Sequence, residues 1–136
     1  MFAALPLLVL PILVYNGLAL TYGFSATDAG VRMSYEIMRV PMASGGRWAV
    51  TLGDALVFFA LVILFIELLK STTSRRIAII NHSLSMILFI LCLIEFLLFR
   101  AFATSAFFLL TSMVLLDVLA GFIVTIATGR REIDIN

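Results

Sequence analysis

The sequence predicts an all-α integral membrane protein, a bundle of four transmembrane helices with a short amphipathic helix in its first loop. Three observations predict it. Hydrophobic residues fill 63% of the 136 positions and charged ones only 12%, against about 25% charged in an ordinary soluble domain. The mean hydropathy is +1.20. The apolar residues also gather into four runs, each near the roughly 20 residues that cross a hydrocarbon core, which leaves room for one sizeable loop and no soluble domain.

The first run, residues 2–22, has no Lys or Arg ahead of it and only Ser25-Ala26 as a faint small-residue site behind it. It therefore reads as a spanning helix, not a cleaved leader. Pro6 and Pro11 loosen or kink its first turns, and its polar residues are the trio Tyr15-Asn16-Gly17. This kinked, uncharged span is expected at the periphery of the bundle or at an interface.

The second span covers about 52–69. Thr51 and Asp54 open it with the spacing of a capping box, in which two side chains satisfy free amides of the first turn. The third covers 77–99 and the fourth 103–128. Only Arg100 and a few residues separate them, so these two helices are expected as antiparallel neighbours.

The loop from Gly23 to Val50 is patterned. Ser25 and Asp28 repeat the capping-box spacing, and Asp28, Arg32, Glu36 and Arg39 then fall at i, i+4, i+8 and i+11 with Met33, Ile37 and Val40 opposite. That arrangement predicts an amphipathic helix over about 26–40, lying on the membrane surface or capping the bundle. Pro41 ends the pattern, and Ser44-Gly45-Gly46 gives a flexible return to Arg47-Trp48 at the next membrane boundary.

Orientation follows from short-loop cations. Lys70, Arg75, Arg76, Arg130 and Arg131 fall on the side of both termini, and Arg32, Arg39, Arg47 and Arg100 on the other. The first group clusters at helix ends, whereas Arg32 and Arg39 are balanced by Asp28 and Glu36. The pattern favours both termini in the cytoplasm.

The net charge is +1 with the cations scattered, which leaves no electrostatic footprint for nucleic acid. The single cysteine, Cys92, can form neither an intramolecular disulfide nor a cysteine metal site. There is no Ser-His-Asp set at plausible depth, no glycine-rich phosphate loop and no H-x-x-x-H pair, so no enzyme activity, cofactor or metal is expected.

Ionisable residues at membrane depth are costly, about 2.5–3.5 kcal/mol on insertion scales, and each is a candidate site. Asp117 lies about 13 residues into the fourth span, too deep to snorkel, beside Ala120 and Gly121, and is expected to point into the bundle. On the third span Asn81, Ser85, Cys92 and Glu95 fall within about 80° at 100° per residue. That stripe is expected to face Asp117, with Glu95 nearer the turn and roughly 10 Å from Asp117 along the axis, within reach through water or Ser85-type hydroxyls. Glu67 lies three residues before Lys70 and can neutralise it, or reach His82 across the connection 71–76.

Two readings follow for Glu67, His82, Asn81, Ser85, Asp117 and Glu95. They are interhelical hydrogen bonds that choose which faces of four apolar helices pack, or a ladder of titratable groups for a proton path.

The stretches Gly53-Asp54, Glu67-Leu68-Leu69-Lys70, Asn81-His82-Ser83-Leu84-Ser85 and Leu116-Asp117 resemble small four-transmembrane-helix bacterial membrane proteins of unknown function. The resemblance implies a bacterial origin and carries over no activity; for a bacterial membrane protein of this kind the inner membrane is the expected location. In size and helix count the chain is also similar to small multidrug transporters, but it lacks the glutamate that those carry in their first span.

The leading expectation is a non-enzymatic subunit or scaffold that associates with itself or with a larger membrane complex. The alternative is a small oligomeric proton-coupled transporter or channel using Asp117 and Glu95. A weaker third is an accessory protein of a membrane redox complex, with His82 as its residue of interest.

Overall fold

The computed structural model describes residues 4–23, 28–70 and 75–135, and within these the side chains of all but 22, 75, 125, 128 and 131–135. The predicted Ser25–Asp28 cap, the Ser25-Ala26 site and most of the connection 71–76 lie outside the described residues.

In chain order the elements are α1 (Val9–Tyr22), α2 (Ala29–Met33), β1 (Glu36–Pro41), β2 (Arg47–Thr51), α3 (Leu52–Lys70), α4 (Arg75–Leu98), a 3-10 turn (Arg100–Phe102) and α5 (Ser105–Ile135). Three helices are long and apolar enough to cross a membrane: Leu52–Lys70, Arg76–Leu98 and Ser105–Val124. The first predicted span is not among them, since its helix holds 14 residues, not the 21 of 2–22. Proline explains the late start. Leu5 precedes Pro6 and is pushed away from α geometry, and the chain enters α1 through tight turns in which the Val9 amide bonds the Pro6 carbonyl and Leu10 bonds Leu7. Pro11 sits in the first helical turn, where a missing amide costs little.

The reciprocal cap at Thr51 and Asp54 is formed as read: the Thr51 amide donates to Asp54 Oδ2 and the Asp54 amide to Thr51 Oγ1, both at 3.1 Å. Between α4 and α5 the chain turns through extended Phe99 and the short 3-10 segment. Thr104 caps α5, its Oγ1 accepting the Phe107 amide at 3.2 Å and its carbonyl the Phe108 amide at 3.0 Å. The short connection makes α4 and α5 an antiparallel hairpin. Helix α5 is the central element, packed along α4 on one side and α3 on another.

The predicted amphipathic helix over 26–40 is corrected. Only Ala29–Met33 is helical, and residues from Glu36 onward form a β-hairpin, with β1 antiparallel to β2 in register Met38↔Val50, Arg39↔Ala49, Val40↔Trp48 and Pro41↔Arg47. Ile37, Val40, Trp48, Val50 and Thr51 are β-branched or aromatic and favour a pleated surface. Gly45, at φ 90°, supplies the left-handed residue that returns the chain, and its amide closes the turn on the Met42 carbonyl at 3.0 Å.

A bulge explains why the charges had imitated a helix. The register shifts between Glu36 and Met38, so Ile37 is an extra residue and the strand alternation resets across it. Glu36 and Arg39 therefore share a face although three apart, and they form an ion pair. The Asp28–Arg32 pair, at 2.9 Å, belongs to the short helical turn.

The first helix keeps an outward face, with Leu10, Leu13, Val14 and Leu20 exposed, and lends its other face to the core. Leu8, just before α1, and Ile12, Tyr15 and Ala19 within it are buried with Leu56, Ala60, Cys92, Phe102, Phe107, Leu110 and Val114. Tyr15 packs at 5.2 Å from the Phe102 ring and 4.8 Å from the Phe107 ring. Gly53 lets α2 approach α3, because a Cβ there would lie 3.1 Å from the Met33 carbonyl.

Candidate functional site

Apart from Thr111, the buried polar groups fall into two layers. The layer at the turn end is neutral. The Tyr15 hydroxyl is 2.8 Å from the Ala101 carbonyl and 2.7 Å from Thr104 Oγ1. Hydrogen counting orients this chain: Tyr15 has one proton for the Ala101 carbonyl, so Thr104 donates to the Tyr15 oxygen while its own oxygen accepts the Phe107 amide. The layer ties α1 to the turn that joins α4 and α5.

Glu95 lies toward this end on α4. Asn16 of α1 lies near its carboxylate, and Asn16 Nδ2 donates to the Ile12 carbonyl at 2.9 Å. The two trailing members of the Tyr15-Asn16-Gly17 trio thus differ in use, since a Cβ on Gly17 would meet nothing within 4 Å.

The second layer lies toward the opposite end and is ionisable. Asp117 points into the bundle as expected, 8% exposed, with Oδ2 3.0 Å from Ser85 Oγ on α4. The Ser85 hydroxyl is also 2.9 Å from the Asn81 carbonyl, and it has one proton for two acceptors. A neutral Asp117 satisfies both contacts, donating to Ser85 while Ser85 donates to Asn81. An ionised Asp117 must share that single proton with the carbonyl.

Glu67 on α3 is 3% exposed. Its Oε2 accepts the Leu7 amide at 2.9 Å and lies 3.4 Å from Lys70 Nζ, and Lys70 in turn donates to the Leu5 carbonyl at 2.8 Å. The pair therefore clamps the proline-interrupted lead into α1, whose free amides have no helical partner of their own. Glu67 and Lys70 are also within electrostatic reach of Asp117.

His82 packs against α5, its ring 5.9 Å from the Phe122 ring, and a Cβ on Gly121 would fall 2.6 Å from His82 Nδ1. The small residue at 121 makes room for the imidazole. Of the two partners open to Glu67 in the sequence, Lys70 is the one it meets, at 3.4 Å, and its Oε2 bonds the Leu7 amide, not His82. Among the described residues Glu67 Oε1, Asn81 Nδ2 and His82 Nδ1 are buried without a hydrogen-bond partner, as is Thr111 Oγ1 further along α5 toward the turn.

The expected relay from Asp117 to Glu95 is corrected too. Ser85 does serve Asp117, but Glu95 stands ten residues further along α4, roughly 15 Å at the helical rise. Buried Leu88 and Cys92 occupy the interval. One water cannot bridge that distance.

Sequence reasoning paired Lys70 with Glu67 but missed the bond of Lys70 to the Leu5 carbonyl and the joints made by Tyr15 and Thr104. Thr104 carried a legible signal, as a threonine just before an apolar run is a helix cap. Among the described residues no group of three or more His, Cys, Asp or Glu side chains could hold a metal ion. Comparison of the chain with known protein families, curated proteins and solved structures finds no match.

Proposed function

We propose that the chain is a non-enzymatic membrane subunit of four crossings, assembling with itself or with a larger complex of a bacterial inner membrane, with both termini cytoplasmic. The observation that carries the reading is the use made of Glu67 and Lys70. Two costly charges are committed to the backbone at Leu5 and Leu7 and hold the first helix in the bundle. Ser85–Asp117 and Tyr15–Thr104 likewise join separate segments, which is how polar groups specify packing where lipid removes the hydrophobic driving force.

The same clamp supports α1 as the fourth crossing. Glu67 lies 15 residues beyond Leu52 in α3, roughly 22 Å down its axis, and Leu7 meets it there. From that depth α1 runs back to Tyr15 at the turn end, so the proline-led segment and its helix together cover most of the same slab.

A second reading, proton-coupled flux through an oligomer, draws on the unpartnered Glu67 Oε1 and its electrostatic coupling to Asp117. One pair of variants separates the two. Asp117→Asn keeps the shape and a donor toward Ser85, so the scaffold reading expects normal folding, normal assembly and the same co-purifying chains in gentle detergent. Asp117→Ala is expected to weaken assembly. A folded, assembled Asp117→Asn protein that has lost a proton-driven flux shown by the wild type in liposomes would overturn the scaffold.

A further inference from the structure

The β-hairpin turns an apolar face outward. The register puts Met38, Val40, Trp48 and Val50 on one side and Glu36, Arg39, Arg47 and Thr51 on the other. Met38 is 56% exposed and Trp48 51%. We propose that this hairpin is a membrane-surface anchor, with its Trp48 face set at the acyl-chain boundary and Arg39 and Arg47 at the phosphates of anionic lipids.

The inference rests on the membrane-spanning reading of α3, and three observations favour lipid as the occupant. First, the hairpin is rooted at the mouth of that helix: β2 ends at Thr51, α3 begins at Leu52, and the Leu52 amide bonds the Tyr35 carbonyl at 2.9 Å. With 19 residues, α3 is roughly 28 Å long, close to the hydrocarbon thickness, which puts Leu52 at its boundary. Second, the hairpin carries one acid and two arginines, the acid already paired with Arg39, so its residual charge is positive and complements anionic headgroups. Third, an indole on an apolar face, with Arg39 and Arg47 turned to the opposite face, suits the interface, where one side of the ring is dry and its N–H is wet.

Depth discriminates this placement from the alternative. Trp48 is four residues from Leu52, roughly 13 Å in an extended strand. A hairpin standing along the α3 axis would carry the indole beyond the headgroup layer, which is roughly 5–8 Å thick. A hairpin lying flat keeps it inside that layer.

Trp48 is the only tryptophan in the chain, so its fluorescence reports this hairpin and nothing else. The full chain reconstituted into vesicles of phosphatidylcholine and phosphatidylglycerol is expected to show blue-shifted emission. Spin labels near the lipid headgroup should quench it more than labels at the chain ends, with protection from aqueous iodide. The Arg39→Glu/Arg47→Glu variant should shift emission to the red in these vesicles but not in phosphatidylcholine alone. Red emission quenched by iodide overturns the proposal, because the hairpin then stands in water. Blue emission insensitive to lipid labels overturns it as well, because protein, a second copy included, then covers the face. Failure of the spanning reading shows separately, as release of the chain from the vesicles by alkaline carbonate.

Discussion

At the turn end of the bundle, Tyr15, Ala101, Thr104 and the Phe107 amide form a chain in which each hydrogen has one acceptor and no charge is involved. Toward the other end Glu67, Lys70, Ser85 and Asp117 make a comparable number of joints, but with ionisable groups, a shared Ser85 proton and three buried atoms left over. Both layers join α1 to later helices. The neutral layer does so with nothing to spare, whereas the ionisable one keeps capacity for a proton or a water. Structural polar groups close on themselves. If any part of this molecule responds to protons, the open layer is where that response begins.

Substitutions at Glu67, Gly121 and Tyr15 test the comparison. Glu67→Leu removes the acceptor of the Leu7 amide and leaves Lys70 a mostly buried, uncompensated cation, for an expected loss of about 3 kcal/mol. Glu67→Gln keeps an acceptor for Leu7 and should lose less. Unfolding in mixed detergent micelles measures both, and equal losses would show that the clamp is not electrostatic.

Gly121→Ala comes next. Its Cβ would meet His82 Nδ1 at 2.6 Å, so the ring or the helix must move, at about 1–3 kcal/mol. The double variant with His82→Ala should recover most of that loss, and simple additivity would place the strain elsewhere.

The smallest effect is expected at the neutral layer. Tyr15→Phe keeps the ring packing against Phe102 and Phe107 but strips the Ala101 carbonyl of its donor, costing about 1–2 kcal/mol. Thr104 still caps α5 in that variant. A loss as large as that of Glu67→Leu would erase the distinction between the layers.

Much of the fold was legible because lipid-facing helices must be long, apolar and internally hydrogen-bonded, a demand written in composition and run length. The reciprocal Thr51–Asp54 cap and the inward Asp117 were legible for related reasons, one a local spacing and the other a depth from which no carboxylate can snorkel. The hairpin was not. Its Glu36–Arg39 spacing satisfies a helix and a bulged strand alike, and the bulge at Ile37 exists only once β1 and β2 are paired.

The sequence by itself determined the apolar helices, the tight α4–α5 turn and which residues would be costly to bury, since these depend on neighbours within a few turns. Tertiary structure alone decided the partners. Glu67 turned to a backbone amide 60 residues away, not to His82, and Tyr15 carried α1 into the core. Glu95 was set beside Asn16, apart from Asp117. Such choices depend on which helix faces meet and at what height, and no residue spacing within one segment encodes that.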